Sequence, residues 1–341
     1  MILVFAGFCF LYLRIYVAPK PHGIIVFIVP GLNLETLHKA CEARSSEIKN
    51  QSLPFFRAKT TLVHTFSVTP APQDPASLLS LLSTNSPTLA NHIGLDTSLS
   101  PTDNLFYKAQ RAGRMIGLVS NCSLLEPENA AFYAHTEDSS NQMQIAKQLF
   151  DSTTINIILG SASTNLRNVE DRNLLEEAKL SGYRYVVDKD TLMDTPRWRT
   201  RKLLGLFPKT SSPEASLSDQ VQVAIECLQY HLGGYFLIVT HTANKSRNGC
   251  RKGHLNVRSV QEIEDAIDTA KNFAGEKALV LLYVPYTTTF QRAQHSEEEI
   301  ISFPDAENPT GLGWAVLFQD SHEFPGFQTP CDLHQLIERN L

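Results

Sequence analysis

Short apolar runs alternate along most of the chain with longer stretches whose apolar residues recur at helical spacing. Eight of the short runs predict strands, at residues 23–29, 62–68, 114–120, 155–160, 183–187, 235–240, 278–284 and 314–318. The run from Ile24 to Val29 does not alternate in polarity, which is typical of a strand covered on both faces.

Seven amphipathic stretches predict helices between these strands, at residues 34–49, 75–84, 103–112, 142–151, 169–181, 216–232 and 258–273. Ser216 or Ser218 can cap one of them, because a serine hydroxyl accepts from a free amide of the first turn. Strands separated by helices are joined by right-handed crossovers. The pattern therefore predicts an α/β fold with a largely parallel sheet covered by helices on both faces.

Composition narrows the class of protein further. The chain has 341 residues, of which 43% are hydrophobic and 19% charged, so it can bury one large core. No internal repeat and no long linker divides it, and we expect residues 21–341 to form a single domain. The 30 basic residues against 35 acidic ones, a net charge of -5, argue against a nucleic-acid partner. The six cysteines are dispersed and have no zinc-site spacing.

Residues 2–17 are almost entirely apolar, interrupted by Arg14. Sixteen residues are few for a bilayer span, and the segment lacks a preceding positive charge and a clear cleavage site. A buried first strand is the competing interpretation, but a complete strand follows at once at residues 23–29. We therefore expect residues 1–20 to be a signal peptide or an N-terminal membrane anchor. In the first case the protein is exported to the periplasm or the extracellular space, and in the second it is anchored in a membrane.

Several phrases of the sequence, in order, resemble the alkaline phosphatases. Gln73 to Ser80 reads Gln-Asp-Pro-Ala-Ser-Leu-Leu-Ser, and an Ile-Gly-Leu-Asp segment begins at Ile93. In that family an Asp-Ser-Ala opening starts a helix, and Ile-Gly-Val-Asp follows at the same distance. Further matching phrases lie at residues 22–28, 130–135, 173–183, 203–207 and 234–239, so the resemblance covers about residues 21–327. It implies the three-layer alkaline-phosphatase-like fold and a tendency to pair as dimers.

The resemblance places Pro75 where the family has its serine nucleophile. Proline has no hydroxyl and cannot form a phosphoryl-enzyme intermediate. Asp74 and Pro75 suit a helix start instead, since Asp is a favoured N-cap and Pro fits the first helical position. Ser77 and Ser80 lie nearby, but nothing in the sequence supplies a general base for either.

The family's chemistry uses two zinc ions and one magnesium ion, and the resemblance indicates that their ligands are replaced here. Pro30 occupies the position of a metal-binding aspartate of the family, Glu128 that of a magnesium-binding threonine and Thr240 that of a metal-binding glutamate. Two Asp-His pairs and two further histidines are replaced at Lys245, Ser246, Gly249, Pro285, Tyr286 and Pro309, and Ser139 stands near the phosphate-clamping arginine. Proline, lysine and glycine offer no suitable side-chain ligand. We expect no zinc pair, no cofactor and no turnover by the family mechanism.

Four cationic side chains lie close together in the loop at residues 244–254, namely Lys245, Arg247, Arg251 and Lys252. In the family this loop carries metal ligands, so fixed cations can replace metal charge and bind phosphate or another anion. An ordinary solvated basic loop is the simpler interpretation and the one that we favour.

The leading hypothesis is an inactive member of the family, a pseudophosphatase that acts by binding or assembly. The family's habit of pairing makes a homodimer, or a heterodimer with an active relative, a candidate assembly. The alternative is an active phosphomonoester hydrolase with a rebuilt site. Oxygen and nitrogen ligands for a single Mg²⁺ or Ca²⁺ would then have to come from scattered residues, namely Glu126, Glu128, His135, His241 and His254.

Overall fold

The computed structural model describes residues 20–32, 36–40, 58–64, 72, 74–151, 155–161, 164–167, 169, 171–207, 214–242, 257–276, 278–286, 312–318 and 328–341. Residues 1–19, which include the apolar segment at 2–17, lie outside the described part of the chain. Among the residues that are described, no helix combines the length and the hydropathy needed to cross a membrane.

Nine strands form one sheet at the centre of the molecule. They are β1 (Gly23–Ile28), β2 (Lys59–His64), β3 (Met115–Ser123), β4 (Ile157–Ser161), β5 (Arg184–Val186), β6 (Leu203–Phe207), β7 (Tyr235–Thr240), β8 (Ala278–Val284) and β9 (Leu312–Leu317). Their order across the sheet is β2-β9-β8-β1-β7-β3-β4-β6-β5. Only β9 runs antiparallel to its neighbours, β2 and β8. The prediction of a largely parallel sheet is confirmed.

Helices cover both faces of this sheet. They are α1 (Pro75–Thr84), α2 (Leu105–Arg111), α3 (Pro127–Ala130), α4 (Gln142–Asp151), α5 (Leu174–Leu180), α6 (Lys189–Met193), α7 (Leu217–Leu228), α8 (Val257–Ala274) and α9 (Pro330–Asn340). Residues 36–40 are also helical.

The alternation of side chains along β1 shows how the layers are built. Ile24 and Val26 point into a core that contains residues of α1, α2, α4, α5 and α9. Ile25 and Phe27 point into a second core with α6, α7, α8 and residues 36–40. All six residues of β1 are buried. The unbroken apolar run is thus explained by a strand that lies between two cores.

Several boundaries differ from the sequence-based expectation. The helix expected at residues 169–181 begins at Leu174, because the side chain of Asn173 caps it by accepting from the amide of Glu176 over 3.2 Å. The strand expected at 62–68 is found at Lys59–His64. β6 was not expected as a strand, and neither were the helices α3, α6 and α9. The sequence of β6, Leu-Leu-Gly-Leu-Phe, contains no β-branched residue, and its apolar positions fit neither the strand period nor the helix period.

Candidate functional site

The carboxyl ends of β1, β7 and β8 bring together four of the positions at which the sequence predicts a lost metal ligand. The three strands are in register up to their last residues, so they end at one level of the sheet. Thr240 is the last residue of β7, while Pro30 follows β1 and Pro285 and Tyr286 follow β8. The amide of Gly31 donates to the carbonyl of Tyr286 over 3.0 Å and joins the two turns. All four replaced positions are buried.

Thr240 belongs to a closed hydrogen-bonded cluster of neutral side chains. Its hydroxyl oxygen lies 2.6 Å from Oδ1 of Asn129 and 2.7 Å from Oγ of Ser120. Since an amide oxygen only accepts, the Thr240 hydroxyl donates to Asn129. The Asn129 amide nitrogen donates in turn to Oγ of Ser120 over 3.1 Å and to the carbonyl of Ser123 over 2.9 Å. Thr240, Asn129 and Ser120 are at most 1% exposed, so the cluster is shielded from bulk solvent, and its three side chains carry no charge.

Cys122 lies beside this cluster, with its Sγ 3.1 Å from Oγ of Ser120. Burial raises the pKa of the Cys122 thiol, hydrogen bonds with Ser120 and Thr242 lower it, and the nearby carboxylates of Glu128 and Glu126 raise it. The net direction is upward, which keeps the thiol protonated. A protonated thiol is neither a good nucleophile nor a good metal ligand.

Glu128 is the exception to this neutral environment. It lies on the short helix α3 next to Asn129 and is 3% exposed, and its Oε2 has no hydrogen-bond partner among the residues that the structure describes. A buried carboxylate oxygen without a partner is costly, because burial removes its water without replacing it. Glu128 therefore has a buried oxygen that can still bind a cation.

Glu126 lies near Cys122 together with Glu128, whereas His135 and His241 each have a partner of their own. Nε2 of His135 lies 2.9 Å from the carbonyl of Thr102, and Nε2 of His241 lies 3.4 Å from Oε2 of Glu262. Across the described ranges, no group of three or more histidine, cysteine, aspartate or glutamate side chains is placed to hold a metal ion. His254 lies outside those ranges.

The start of α1 confirms the role expected for Asp74 and Pro75. Oδ1 of Asp74 accepts from the amide of Ser77 over 2.8 Å, Oγ of Ser77 accepts from the amide of Asp74 over 3.2 Å, and Pro75 occupies the first turn. The second carboxylate oxygen of Asp74 accepts from the amide of Asn91. Ser80 is engaged as well, since its Oγ accepts from the amide of Gly94 over 3.1 Å. Both carboxylate oxygens of Asp74 thus accept structural hydrogen bonds, one from the first turn of α1 and one from Asn91.

The remaining predicted site residues are placed as follows. Ser139 donates its backbone amide to the carbonyl of Asn91 over 2.7 Å. Seven positions lie outside the described part of the chain, namely Lys245, Ser246, Arg247, Gly249, Arg251, Lys252 and Pro309. Sequence reasoning did not identify Ser120 and Asn129 as members of the site. The available signal was positional, because Ser120 lies opposite Thr240 in the β3–β7 register and Asn129 follows Glu128 directly.

Comparison with known proteins connects this geometry to a family. The family model described as alkaline phosphatase matches residues 23–301. Alkaline phosphatase 4 of Bacillus subtilis (strain 168) is 31% identical over 179 residues, which are 49% of this chain and 38% of that protein. The alkaline phosphatase of Gadus morhua is 26% identical over 268 residues, 64% of this chain and 54% of that protein. The chain therefore spans less than two thirds of the length of these relatives.

Solved structures show the same fold. Alkaline phosphatase from the Antarctic bacterium TAB5 superimposes with a TM-score of 0.71 at 18% identity, covering 94% of this chain and 98% of that one. The Thermus thermophilus enzyme superimposes with a TM-score of 0.75 at 14% identity, covering 97% and 93%. These superpositions confirm the three-layer arrangement expected from the sequence. The match to the family model extends over most of the chain, and the chain therefore belongs to the alkaline phosphatase family.

Proposed function

We propose that this member of the alkaline phosphatase family does not hydrolyse phosphomonoesters by the serine and metal mechanism, and that it acts by binding. The observation that carries the proposal is the cluster around Thr240. At a position where the family's pattern has a metal-binding glutamate, a hydroxyl is held by Asn129 and Ser120 in a buried, neutral site. A divalent cation needs anionic or strongly donating ligands, and this cluster offers neither.

The nucleophile side of the reaction supports the same proposal. Pro75 has no group that can attack phosphorus, and Ser77 and Asp74 are bonded to each other in a capping box. Cys122 is held as a thiol by burial. Neither Pro75, Ser77 nor Cys122 therefore combines a nucleophilic atom with a base that activates it.

Binding of an anion at the same edge is the activity that we propose for the emptied site. The basic residues Lys245, Arg247, Arg251 and Lys252 follow β7 in the sequence, directly after the buried end at Thr240. Calorimetry with inorganic phosphate and a phosphomonoester should give saturable heat with the wild type. The heat should be lost in a Lys245→Ala/Arg247→Ala variant and retained in Arg258→Ala, which removes an exposed cation on α8. Absence of heat with every anion contradicts this part of the proposal.

The decisive assay is p-nitrophenyl phosphate hydrolysis by the purified protein with added Zn²⁺ and Mg²⁺, beside an active relative as positive control. We expect no turnover above buffer in the wild type. Sedimentation of the same sample, alone and mixed with an active relative, tests the proposed homodimer or heterodimer. Turnover that a chelator abolishes would overturn the proposal of an inactive protein.

One observation favours the alternative, an active phosphatase with a rebuilt site. Oε2 of Glu128 is a carboxylate oxygen suited to Mg²⁺ or Ca²⁺, and within the described ranges it has no hydrogen-bond partner. If the assay shows chelator-sensitive turnover, Glu128→Gln should abolish it in the rebuilt-site case. Turnover that persists in Glu128→Gln would indicate a contaminating enzyme or a site elsewhere.

A further inference from the structure

The amino ends of the parallel strands form a second edge, opposite to the candidate site. Gly23 of β1 lies opposite Tyr235 of β7, which lies opposite Met115 of β3, and the register continues through β4 and β6 to Arg184 of β5. The segments that lead into these strands therefore meet at one edge. We call this the amino edge, formed by residues 20–22, 112–114, 180–184, 201–202 and 230–234.

Three large apolar side chains project from the amino edge into solvent. Leu180, at the end of α5, is 88% exposed, while Tyr230 and Leu232, between α7 and β7, are 60% and 53% exposed. The segment of Tyr230 is fixed against the chain entry, because Nε2 of His22 lies 2.9 Å from the carbonyl of Gln229. Exposed leucine and tyrosine side chains on a rigid edge are suited to the interfacial region of a bilayer.

Cations lie at the Leu180 end of the same edge, where β5 and β6 begin. Lys202 donates from Nζ to the carbonyl of Ser181 over 3.1 Å, which places its charge next to Leu180. Arg184 donates its backbone amide to the carbonyl of Lys202, and its side chain is exposed, as is that of Arg201. Apolar tips with basic neighbours complement an anionic lipid surface, since each cation near the surface is attracted by the negative potential.

The apolar segment at residues 2–17 joins the described chain at this edge. Lys20, the first described residue after it, is exposed and lies three positions before the start of β1. Buried Arg114 fixes the entry, because it donates to the carbonyls of Pro21 and His22 over 3.0 Å each and to the carbonyl of Asn340 over 2.8 Å. Any membrane attachment through residues 2–17 thus holds the amino edge toward the bilayer.

We propose that the amino edge is a docking surface for an anionic lipid bilayer, on which Leu180, Tyr230 and Leu232 enter the interface and Arg184, Arg201 and Lys202 bind the headgroups. The carboxyl edge, with the candidate site, then faces away from the membrane. The surface acts together with the apolar segment, as two weak membrane contacts do in other anchored proteins. This inference does not depend on whether the candidate site is catalytically active.

The test is vesicle binding by the full chain. We expect tighter sedimentation with phosphatidylcholine vesicles that contain phosphatidylglycerol than with phosphatidylcholine alone, and weaker binding at high salt. An Arg184→Gln/Arg201→Gln variant should bind the anionic vesicles roughly 25-fold more weakly, at roughly fivefold for each charge. Arg258→Gln and Met143→Ser, at the first turns of α8 and α4 and hence at the carboxyl edge, are the matched controls and should bind like the wild type.

If residues 2–17 account for most of the binding in the sedimentation assay, hydrogen exchange provides a second, local test of the amino edge. Anionic vesicles should slow amide exchange at residues 180–184 and 230–234 and leave residues 91–100 unchanged. Equal binding of the wild type and the arginine variant, with no protection at these segments, overturns the proposal. Protection that appears without vesicles and grows with protein concentration also overturns it, because it assigns the edge to self-association.

Discussion

The ammonium of Lys108 on α2 lies 2.8 Å from Nε2 of His334 on α9. His334 is fully buried, and its Nδ1 lies 2.7 Å from the carbonyl of Leu82. The proton on the ring therefore sits at Nδ1 and donates to Leu82, which leaves Nε2 to accept from Lys108. Glu338 completes the cluster with a 2.9 Å ion pair to Lys108. A neutral histidine thus joins α1, α2 and α9.

We expect this cluster to make stability fall in mild acid. Burial, and then the Lys108 charge, lowers the pKa of His334 from 6.5, although the Leu82 bond and Glu338 act in the opposite direction. The unfolded chain then takes up a proton at a higher pH than the folded one. The stabilising contribution is complete above about pH 6.5 and is lost as the pH falls below that value.

Urea denaturation at pH values from about 7.5 down to about 5 measures this effect, since His is the side chain that titrates there. His334→Gln should be less stable at neutral pH and should show a smaller pH slope than the wild type. His92→Gln, which changes an accessible histidine, is the control. An equal slope in His334→Gln and the wild type contradicts the assignment.

The hydroxyl of Thr240 should stabilise the fold measurably. Thr240→Val keeps the shape of the side chain but leaves the oxygen of Asn129 buried without its donor. The free energy of unfolding should fall by about 1–3 kcal/mol. Thr60→Val, on the exposed side of β2, should change it by less than about 0.5 kcal/mol. A comparable effect of the two substitutions in urea denaturation would show that the cluster contributes nothing specific.

The cap of α1 should depend on the carboxylate or amide oxygen at position 74. Asp74→Ala removes the acceptor for the amides of Ser77 and Asn91 and should lower the free energy of unfolding by about 1–2 kcal/mol. Asp74→Asn retains an oxygen for Ser77 and should lower it by less. The thermal midpoints of the two variants, compared with that of the wild type, provide the measurement. A larger loss of stability in Asp74→Asn than in Asp74→Ala would contradict the capping role.

Pro75→Ser should restore no phosphatase activity. The serine would stand at the start of α1, but Thr240, Pro30 and Pro285 would still provide no metal charge at the carboxyl edge. The assay is p-nitrophenyl phosphate hydrolysis with Zn²⁺ and Mg²⁺, and the wild type is the reference. Recovered turnover in this single variant would mean that the metal ligands are present in another form.

Two glycines with similar backbone angles should respond differently to alanine. Gly94 and Gly113 have φ values of +66° and +75°. A Cβ at Gly94 would lie 2.4 Å from the carbonyl oxygen of Ala134, whereas one at Gly113 would meet nothing within 4 Å. Gly113→Ala should cost about 1 kcal/mol from backbone strain. Gly94→Ala should cost roughly 1–3 kcal/mol more, because a packed carbonyl must move. Equal losses of unfolding free energy in the two variants, measured by urea denaturation, would contradict the steric argument.

The sequence predicted the parts of the fold that local chemistry determines. β7 and β8 were expected with their observed ends, because each is an unbroken apolar run bounded by polar residues or proline. The cap at Asp74 follows from residue types that are adjacent in the chain. β6 could not be recognised this way, since its strand conformation comes from pairing with β4 and β5 and not from its own residues.

The candidate site was predictable only in part, for a similar reason. A family pattern indicates which position a ligand would occupy, and it led to Pro30 and Thr240. It does not indicate what a replacement contacts. Thr240 binds Asn129 across 111 residues of sequence, and Lys108 meets His334 across 226. Contacts between residues so far apart in the sequence are set by the packing of whole helices and strands, so a local sequence pattern does not predict them.

The position of β1 has a consequence for synthesis of the chain. β1 is paired on one side with β7 and on the other with β8, which are made about 200 and about 250 residues later. At roughly 5–20 residues per second, a ribosome takes roughly 10–40 s to supply the first partner. Throughout that interval the most apolar strand of the sheet has neither neighbour. We therefore expect residues 23–28 to be the segment of the nascent chain most exposed to aggregation until β7 is made.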